Sequence, residues 1–228
     1  LRTKNYDKLA SSPNITIYNG TARFAERSKI EVKTGGKSII IEGDKIFINT
    51  GSTPRIPPIS GLSTTSGIYT SAELMDLDTF PEKLTIIGGG YIGVEFASMF
   101  SNFGSDVTVI QDGETFLPLE DDDIAGEIKA ILEKSGVTFR LGAKIKYVDE
   151  GPKVVFEWNK QEYSLESDAV LAATGRIPNT SELNCQAAGI ELTSKQAVKV
   201  DQNLRTTAEN VWAMGDVTGG LQHTYISL

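Results

Sequence analysis

The stretch LTIIGGGYIGVEFASMF, residues 84–100, decides the fold of this chain. Its opening run, Leu84 to Ile87, is mostly apolar and has the length of a buried strand. Three glycines follow it, and apolar residues then recur at positions 92, 96, 99, 100 and 103. This second spacing is typical of one face of a helix. We therefore predict a strand that turns on glycine into an amphipathic helix.

The same alternation continues beyond this stretch. Gly104 is predicted to end the helix as a left-handed cap, and a second buried strand follows at residues 106–110. A second amphipathic helix is indicated by apolar residues 124, 128, 131 and 132 and ends at Gly136, before a third strand at residues 137–141. Such a run requires parallel strands joined by right-handed crossovers, which make half of a doubly wound sheet.

Short strands at hairpin spacing then take the place of a third crossover helix. They are predicted at residues 144–148, 153–158 and 161–165, and a buried strand follows at residues 168–173. A similar meander is predicted near the start of the chain, with strands at residues 15–18, 29–32, 38–41 and 45–48. A short helix is indicated around Ser71 to Leu77.

The two meanders end in similar sequences. Ile48-Asn49-Thr50-Gly51-Ser52 precedes Pro54, and Ala172-Ala173-Thr174-Gly175-Arg176 precedes Pro178. This repeat predicts two domains of related architecture, the first without its opening strand and helix. The fold class is α/β, with a Rossmann-like domain of parallel sheet, helices and meander at residues 79–200. Parts of the related domain flank it at residues 1–78 and 201–228.

The composition excludes several classes of partner. The 228 residues include 22 Lys and Arg against 30 Asp and Glu, and the resulting net charge of −8 repels nucleic acid and anionic lipid. No apolar run approaches the roughly 20 residues that cross a bilayer. The single cysteine, Cys185, fits a reducing, cytoplasmic setting, and His223 is the single histidine. A chain that opens at Leu1 without methionine or a targeting segment is expected to be part of a longer one.

Residues 88–93 satisfy the pattern G-x-G-x-x-G between a strand and a helix. Gly88 permits the tight turn, and Gly90 lets backbone N–H groups approach a pyrophosphate. Gly93 allows the helix to pack closely on the sheet. The helix N-terminus favours the negative charge of the phosphates. The pattern therefore predicts dinucleotide binding, although a glycine turn that binds nothing is the structural alternative.

The residue that ends the second strand discriminates between NAD and NADP. An acidic side chain there accepts from the ribose 2′-hydroxyl, whereas arginine binds a 2′-phosphate. This chain has Gln111, and no Lys or Arg occurs between it and Ile128. We therefore expect no cation near a 2′-phosphate and favour NADH, with Gln111 as a simple strand-end residue as the alternative.

Two other polar features have structural explanations. The acidic run at residues 120–123 opens a helix, where carboxylates complement the helix dipole, so we predict no metal site. Cys185 lacks a neighbouring histidine or second cysteine and is predicted to be a free structural thiol.

A second candidate site lies near the end of the chain. The strand at residues 211–214 runs into Gly215-Asp216. An aspartate at a strand exit can accept hydrogen bonds from the polyol of a cofactor, and the glycine allows close approach. A turn formed by the Gly-Asp pair alone is the alternative.

In this order, the motifs resemble those of the pyridine nucleotide-disulfide oxidoreductases, which include glutathione reductase, dihydrolipoamide dehydrogenase and mercuric reductase. The similar segments are Ile48 to Pro54, Gly88 to Glu95 with G-x-G-Y-I-x-x-E, Ala173 to Asn179, and Ala213 to Asp216. The segment Trp212 to Leu228 is most similar to bacterial mercuric-reductase-like flavoproteins linked to reactive-chlorine resistance.

The resemblance implies FAD in the full-length protein and NAD as the second cofactor, with NADP less favoured. The reduced form, NADH or NADPH, is the implied hydride donor. The implied NAD-binding residues are Gly88, Gly89, Gly90, Tyr91, Ile92, Gly93, Glu95, Gln111 and Gly175. The implied FAD-binding residues are Thr50, Gly51, Ser52 and Asp216. Tyr91 is expected to cover the nicotinamide pocket and Glu95 to pair with a lysine beside the flavin.

The resemblance covers the middle half of such an enzyme and departs from it in three ways. The family's flavin fingerprint and redox-active cysteine pair have no counterpart here. The same holds for its C-terminal dimerisation domain, through which the parent is expected to form a homodimer. Gln111 also replaces the acid usual in NADH-dependent members. We therefore expect no catalytic residue in this segment and no activity from it alone.

Two other functions explain the glycine loop. A non-catalytic dinucleotide-sensing module would need the loop but no second cofactor motif, and Asp216 argues against it. A methyltransferase-like domain would leave both Thr-Gly turns and the Gly-Asp pair unexplained. The favoured function is transfer of hydride from NADH or NADPH to FAD and on to a disulfide, a metal ion or another acceptor.

Overall fold

The computed structural model of this chain describes residues 2–220. Its α-helices are α1 (Arg2–Ala10), α2 (Ser71–Met75), α3 (Tyr91–Asn102) and α4 (Asp122–Lys134). Its β-strands are β1 (Thr21–Glu26), β2 (Lys29–Thr34), β3 (Lys37–Glu42), β4 (Ile46–Ile48), β5 (Ser52–Pro54), β6 (Ile68–Tyr69), β7 (Lys83–Ile87), β8 (Asp106–Gln111), β9 (Thr138–Leu141), β10 (Lys144–Asp149), β11 (Lys153–Trp158), β12 (Gln161–Glu166), β13 (Ala169–Ala172), β14 (Arg176–Pro178) and β15 (Val211–Ala213). Single 3-10 turns lie at Cys185–Ala188 and Gly215–Thr218.

The described residues form two compact units. Residues 2–53 and 177–220 make one unit, and Pro54–Arg176 make the other. The division into domains at residues 1–78, 79–200 and 201–228 stays a prediction, because compactness reports packing and does not test independent folding.

A parallel sheet forms the centre of the Pro54–Arg176 unit. Its strand order is β6-β13-β7-β8-β9, and every neighbouring pair is parallel. The predicted succession of strands and helices is confirmed by β7, α3, β8, α4 and β9. Gly104, with φ 100°, and Gly136, with φ 91°, follow the two helices in the left-handed conformation that glycine adopts without strain. This α/β arrangement is the predicted fold class.

Both faces of this sheet are covered. Leu84 and Ile86 of β7 pack in a cluster with α3 and α4 residues such as Phe96 and Leu132. Ile87 packs in a second cluster with residues of the antiparallel meander β10-β11-β12, such as Phe156. Burial on both faces explains why the strands read as nearly continuous apolar runs. The meander lies between β9 and β13 in sequence, where it replaces a third crossover helix as predicted.

The other unit has a smaller core. Its antiparallel meander has the order β1-β2-β3, and β4 pairs in parallel with β15. Phe24, Ile48 and Val211 belong to one buried cluster that also includes residues of the 180–217 segment. Trp212 stacks on Phe47 across the two parallel strands, with ring centroids 5.2 Å apart.

The strand predicted at Ile15 to Tyr18 is wrong. These residues have no regular structure, and Ile15 and Tyr18 are exposed. The first strand of the meander is instead β1, in which only Phe24 is buried, at 1% exposure. A strand with one buried side chain gives almost no alternation in sequence, so its pairing with β2 outweighs local propensity. Helix α1 was also not predicted.

The repeat predicted from the two Thr-Gly sequences corresponds to matching hydrogen bonds. In one unit, the Thr50 hydroxyl donates to the carbonyl of Asn179 at 2.9 Å, and the Asn179 N–H donates to the carbonyl of Gly51 at 2.9 Å. In the other unit, the Thr174 hydroxyl donates to the carbonyl of Arg55 at 2.6 Å, and the Arg55 N–H donates to the carbonyl of Gly175 at 2.9 Å. Each turn follows a strand, β4 or β13, that comes after a three-stranded meander.

Candidate functional site

At two positions of the glycine loop between β7 and α3, an added side chain would clash with backbone atoms. Gly88 has φ 108°, and a Cβ there would lie 2.3 Å from the carbonyl oxygen of Ala173. A Cβ on Gly93 would lie 2.0 Å from the carbonyl oxygen of Gly88. These contacts support the predicted roles of Gly88 in the turn and of Gly93 in close helix packing.

Gly90 differs from its neighbours because it faces open space. It is the N-cap of α3, and no atom lies within 4 Å of the position of a Cβ. The N-terminus of this 12-residue helix therefore presents its backbone N–H groups without an intervening side chain. This geometry fits the close approach of an anionic group such as a pyrophosphate.

A cleft of about 850 Å³ lies along the carboxyl ends of the parallel strands. Its volume is in the range of small-molecule and cofactor sites. The predicted residues that line it are Gly88, Gly89, Gly90, Gln111 and Gly175. Sequence reasoning missed other lining residues, including Arg55, Pro57, Ile59, Asp112, Glu114, Lys144 and Ile145. They come from the loops after β5 and β8 and from the start of β10, so no local motif marks them.

The other predicted dinucleotide residues do not line this cleft. Ile92 packs against the helical cluster of the core, and Gly93 is buried. Glu95 is exposed on α3. Tyr91 is 40% exposed, and its hydroxyl donates to Glu120 at 2.5 Å. This hydrogen bond raises the pKa of Tyr91 above its usual value, because the neighbouring carboxylate favours the protonated phenol. Roles for Tyr91 and Glu95 at the nicotinamide stay predictions.

The side chain of Gln111 has a defined orientation in the cleft. Its amide nitrogen donates to the carbonyls of Gly113, at 3.2 Å, and Thr115, at 2.7 Å. Its amide oxygen points towards the glycine loop, since a Cβ on Gly89 would lie 2.3 Å from it. Both N–H donors of the Gln111 amide are therefore used by the segment that follows β8, and the amide oxygen is the atom positioned to accept a hydrogen bond from a ligand.

The expectation that no cation lies near Gln111 is wrong. Lys144 lines the same cleft, and the N–H of the preceding Ala143 donates to the carbonyl of Gln111 at 2.9 Å. Arg55 lines the cleft as well. The window from Gln111 to Ile128 contains no cation, but strand pairing brings Lys144 beside Gln111 from outside that window.

The predicted flavin residues come together in the other unit. Thr50-Gly51-Ser52 and Gly215-Asp216 follow the neighbouring parallel strands β4 and β15. The Ser52 hydroxyl donates to a carboxylate oxygen of Asp216 at 2.7 Å. Both Gly51, with φ 70°, and Gly215, with φ 72°, adopt the left-handed conformation. Carboxyl ends of adjacent parallel strands are where ligands bind in open α/β sheets, so this arrangement fits one edge of a cofactor site.

The acidic run at residues 120–123 has a structural role in α4. Asp121 is the N-cap, Asp122 and Asp123 lie in the first turn, and Lys134 lies in the last. These charges complement the helix dipole. Among residues 2–220, no group of three histidine, cysteine or acidic side chains is arranged to hold a metal ion.

Cys185 is buried, with 5% of its surface exposed. Burial raises the pKa of its thiol, because the charged thiolate loses hydration. We therefore expect a chromogenic disulfide reagent to label the native chain much more slowly than the chain in 6 M guanidinium. Ser63→Cys in a Cys185→Ala background is the exposed control and should react rapidly in both conditions. Fast native labelling of Cys185 would contradict its assignment as a structural thiol.

A sequence model of the pyridine nucleotide-disulphide oxidoreductases matches residues 2–228. The chain belongs to this family. Residues 221–228, which carry part of the finer resemblance and include His223, lie outside the described residues. In the part that is described, no helix is both long and apolar enough to cross a membrane.

Individual members of the family are similar over the whole chain. The probable pyridine nucleotide-disulfide oxidoreductase RclA of Escherichia coli is 47% identical over 228 residues, which are 100% of this chain and 52% of that protein. Mercuric reductase of Lysinibacillus sphaericus is 34% identical over 230 residues, covering 100% of this chain and 41% of that protein. Glutathione reductase of Burkholderia cepacia is 34% identical over 223 residues, covering 98% and 48%. The chain thus spans about half the length of the curated relatives it matches.

Solved structures of the family have the same fold. The Cu(II) complex of the HOCl-induced flavoprotein disulfide reductase RclA from Escherichia coli superposes with a TM-score of 0.92 at 46% identity. The match covers 100% of this chain and 51% of that one. That structural relative is a flavoprotein disulfide reductase, and the other relatives named are reductases or oxidoreductases. These similarities support a redox role and confirm the predicted family and fold class.

Proposed function

We propose that this chain supplies the pyridine-nucleotide-binding part of a flavin-dependent oxidoreductase. The observation that carries this function is the open Gly90 at the N-terminus of α3, at the edge of a cleft of about 850 Å³. When bound, the reduced nicotinamide supplies a hydride and the flavin accepts it. The chain's own residues bind the dinucleotide and fix its orientation, so that the nicotinamide is held in one position for transfer.

The glycine loop binds the pyrophosphate in this proposal. Backbone N–H groups at the start of α3 donate to the phosphate oxygens, and the helix dipole favours the negative charge. The adenosine ribose lies beside Gln111 at the end of β8, because this is where the second strand of such a sheet meets the ribose. The nicotinamide half then extends towards Gly175 at the end of β13, on the opposite side of β7.

The hydrogen bond between Ser52 and Asp216 favours a flavoprotein over a dinucleotide sensor. It brings a carboxylate to the ends of β4 and β15, where a sensor would need no polar pair. We propose that Thr50, Gly51, Ser52 and Asp216 contact FAD in the full-length protein. In the full-length protein, the bound flavin would pass the two electrons of the hydride on to a disulfide, a metal ion or another acceptor. We further propose a cytoplasmic homodimer that works with small-molecule cofactors and binds neither nucleic acid nor membranes.

NADH is the proposed donor, with NADPH as the less favoured one. The amide oxygen of Gln111 can accept from a 2′-hydroxyl, whereas its two donors are used by Gly113 and Thr115. Asp112 and Glu114 line the same end of the cleft and repel a 2′-phosphate, and Lys144 attracts it. Because the two carboxylates outnumber the one ammonium group, their net charge favours the uncharged 2′-hydroxyl of NADH. The attraction of Lys144 for a 2′-phosphate keeps the preference for NADH modest.

Calorimetric titration of the chain with NADH and NADPH tests this function. We expect NADH to bind about tenfold more tightly, which corresponds to about 1.4 kcal/mol. Gln111→Arg should shift the preference towards NADPH, because the guanidinium can bind the phosphate bidentately. Lys160→Gln, which removes a cation from the β11-β12 turn outside the cleft, is the control and should leave the ratio unchanged.

The outcomes of this titration separate two conclusions. Binding of neither dinucleotide would contradict the proposed function itself. Equal or tighter binding of NADPH would contradict only the assignment of Gln111 as the residue that selects the hydroxyl.

A further inference from the structure

The backbone of Arg55 is held firmly at the end of β13. Its N–H donates to the carbonyl of Gly175 at 2.9 Å, and its carbonyl accepts from the hydroxyl of Thr174 at 2.6 Å. The side chain takes no part in these bonds. The position of Arg55 is therefore fixed by main-chain contacts that a substitution of its side chain preserves.

Arg55 corresponds to Asn179 in the internal repeat, but the two side chains differ in their contacts. The amide of Asn179 donates to the carbonyl of Thr50 at 2.9 Å and so belongs to its own turn. The Arg55 side chain is exposed and lines the dinucleotide cleft. In the described part of the chain its guanidinium forms no ion pair. A fixed backbone thus carries a cation whose donors are available to a ligand in the cleft.

The strand order places Arg55 on one side of the glycine loop. β13 and β8 flank β7 on opposite sides, so Gly175 and Arg55 lie across the loop from Gln111. Lys144, the other cation of the cleft, follows β9 on the Gln111 side. If the adenosine ribose lies at Gln111 and the pyrophosphate at the loop, the cation beyond the loop is nearest the phosphate that carries the nicotinamide ribose.

We propose that Arg55 is a positioning residue that binds the nicotinamide-side phosphate of the dinucleotide. This inference rests on the proposed function. The guanidinium presents paired donors that match two phosphate oxygens, and it complements the backbone N–H groups of the glycine loop. Arg55 therefore strengthens binding of NADH and NADPH alike, since both carry this phosphate. Gln111 and Lys144 act at the other end of the ligand and discriminate between them.

Calorimetry on the chain and its Arg55→Gln variant tests the proposal with four ligands. NADH, NADPH and ADP-ribose carry both phosphates, whereas 5′-AMP carries only the one next to adenosine. We expect Arg55→Gln to weaken the first three by a similar factor of about tenfold or more and to leave 5′-AMP unchanged. The affinities of Arg55→Lys for these three ligands should lie between those of the unchanged chain and those of Arg55→Gln, because an ammonium keeps the charge but not the paired geometry.

Two further variants separate this role from general electrostatics. Lys160→Gln removes the same charge from the same unit outside the cleft and should bind all four ligands as the unchanged chain does. Lys144→Gln should weaken NADPH more than NADH. The Arg55 assignment is overturned if Arg55→Gln binds NADH with unaltered affinity, or if it weakens 5′-AMP as much as ADP-ribose. A chain that binds no dinucleotide before any substitution would instead contradict the proposed function.

Discussion

Gly88→Ala is expected to lower the free energy of unfolding by about 2 to 6 kcal/mol, because two costs of about 1 to 3 kcal/mol each add up. The first is backbone strain, since Gly88 has φ 108°, a backbone conformation that residues with a side chain rarely adopt. The second is a steric clash, since a Cβ would lie 2.3 Å from the carbonyl oxygen of Ala173 in the adjacent strand end. Neither the strain nor the clash can be relieved by rotation of a side chain, because both involve backbone atoms.

Urea denaturation followed by tryptophan fluorescence measures this loss. The chain has two tryptophans, so a Trp212→Phe background leaves Trp158 as the reporter of the Pro54–Arg176 unit. The indole of Trp158 donates to the carbonyl of Leu141 at 2.8 Å, which ties its signal to the parallel sheet. An unfolding midpoint for Gly88→Ala equal to that of the background chain would mean that the loop moves away from Ala173 at little cost.

Gly90→Ala is expected to do the opposite: it should keep the fold and lose the ligand. Gly90 has φ −78° and no atom within 4 Å of a Cβ, so alanine fits without strain and can slightly stabilise the chain. The added methyl group occupies the space through which a pyrophosphate approaches the N–H groups of α3. We expect affinity for NADH to fall about 100-fold, because losing hydrogen bonds to a charged phosphate costs about 3 kcal/mol in total.

Calorimetric titration with NADH, combined with the same urea measurement, checks this prediction. Gly126→Ala is the matched control, because Gly126 also has open space around a Cβ and lies within α4, outside the cleft. It should bind NADH normally and gain up to about 1 kcal/mol in stability from the higher helix propensity of alanine. Normal affinity in Gly90→Ala would place the phosphates away from this loop.

The relation between these two glycines explains why a glycine motif needs a structure to be interpreted. In sequence, the motif assigns Gly88 to the turn and Gly90 to the pyrophosphate, but it does not show how much space surrounds either residue. In the structure, Gly88 is required by the chain itself, whereas Gly90 has no structural need for the absence of a side chain. At a helix N-terminus that borders a cleft, a glycine that the fold does not require supports the approach of a ligand, whereas Gly126, which is equally open but lies outside the cleft, does not.

The sequence by itself determined the elements around the glycine loop. Residues 84–141 were predicted as alternating strands and helices, and the structure differs there only by a residue or two at most ends. The reason is that apolar periodicity and left-handed glycines such as Gly104 act within a few neighbouring residues. Where burial was sparse, as around Phe24 in β1, the same signal was too weak and the predicted strand at Ile15 to Tyr18 was wrong.

Only the tertiary structure decided which charged side chains share the cleft at the glycine loop. Arg55 and Lys144 are distant from the glycine motif in sequence and enter the cleft because β13 and β9 lie in the same parallel sheet as β7. The hydrogen bonds from the Gln111 amide to the carbonyls of Gly113 and Thr115 likewise depend on how the loop after β8 folds back. Strand pairing and loop closure join residues without leaving a periodic signal, so the glycine loop could be predicted from sequence and the charged side chains beside it could not.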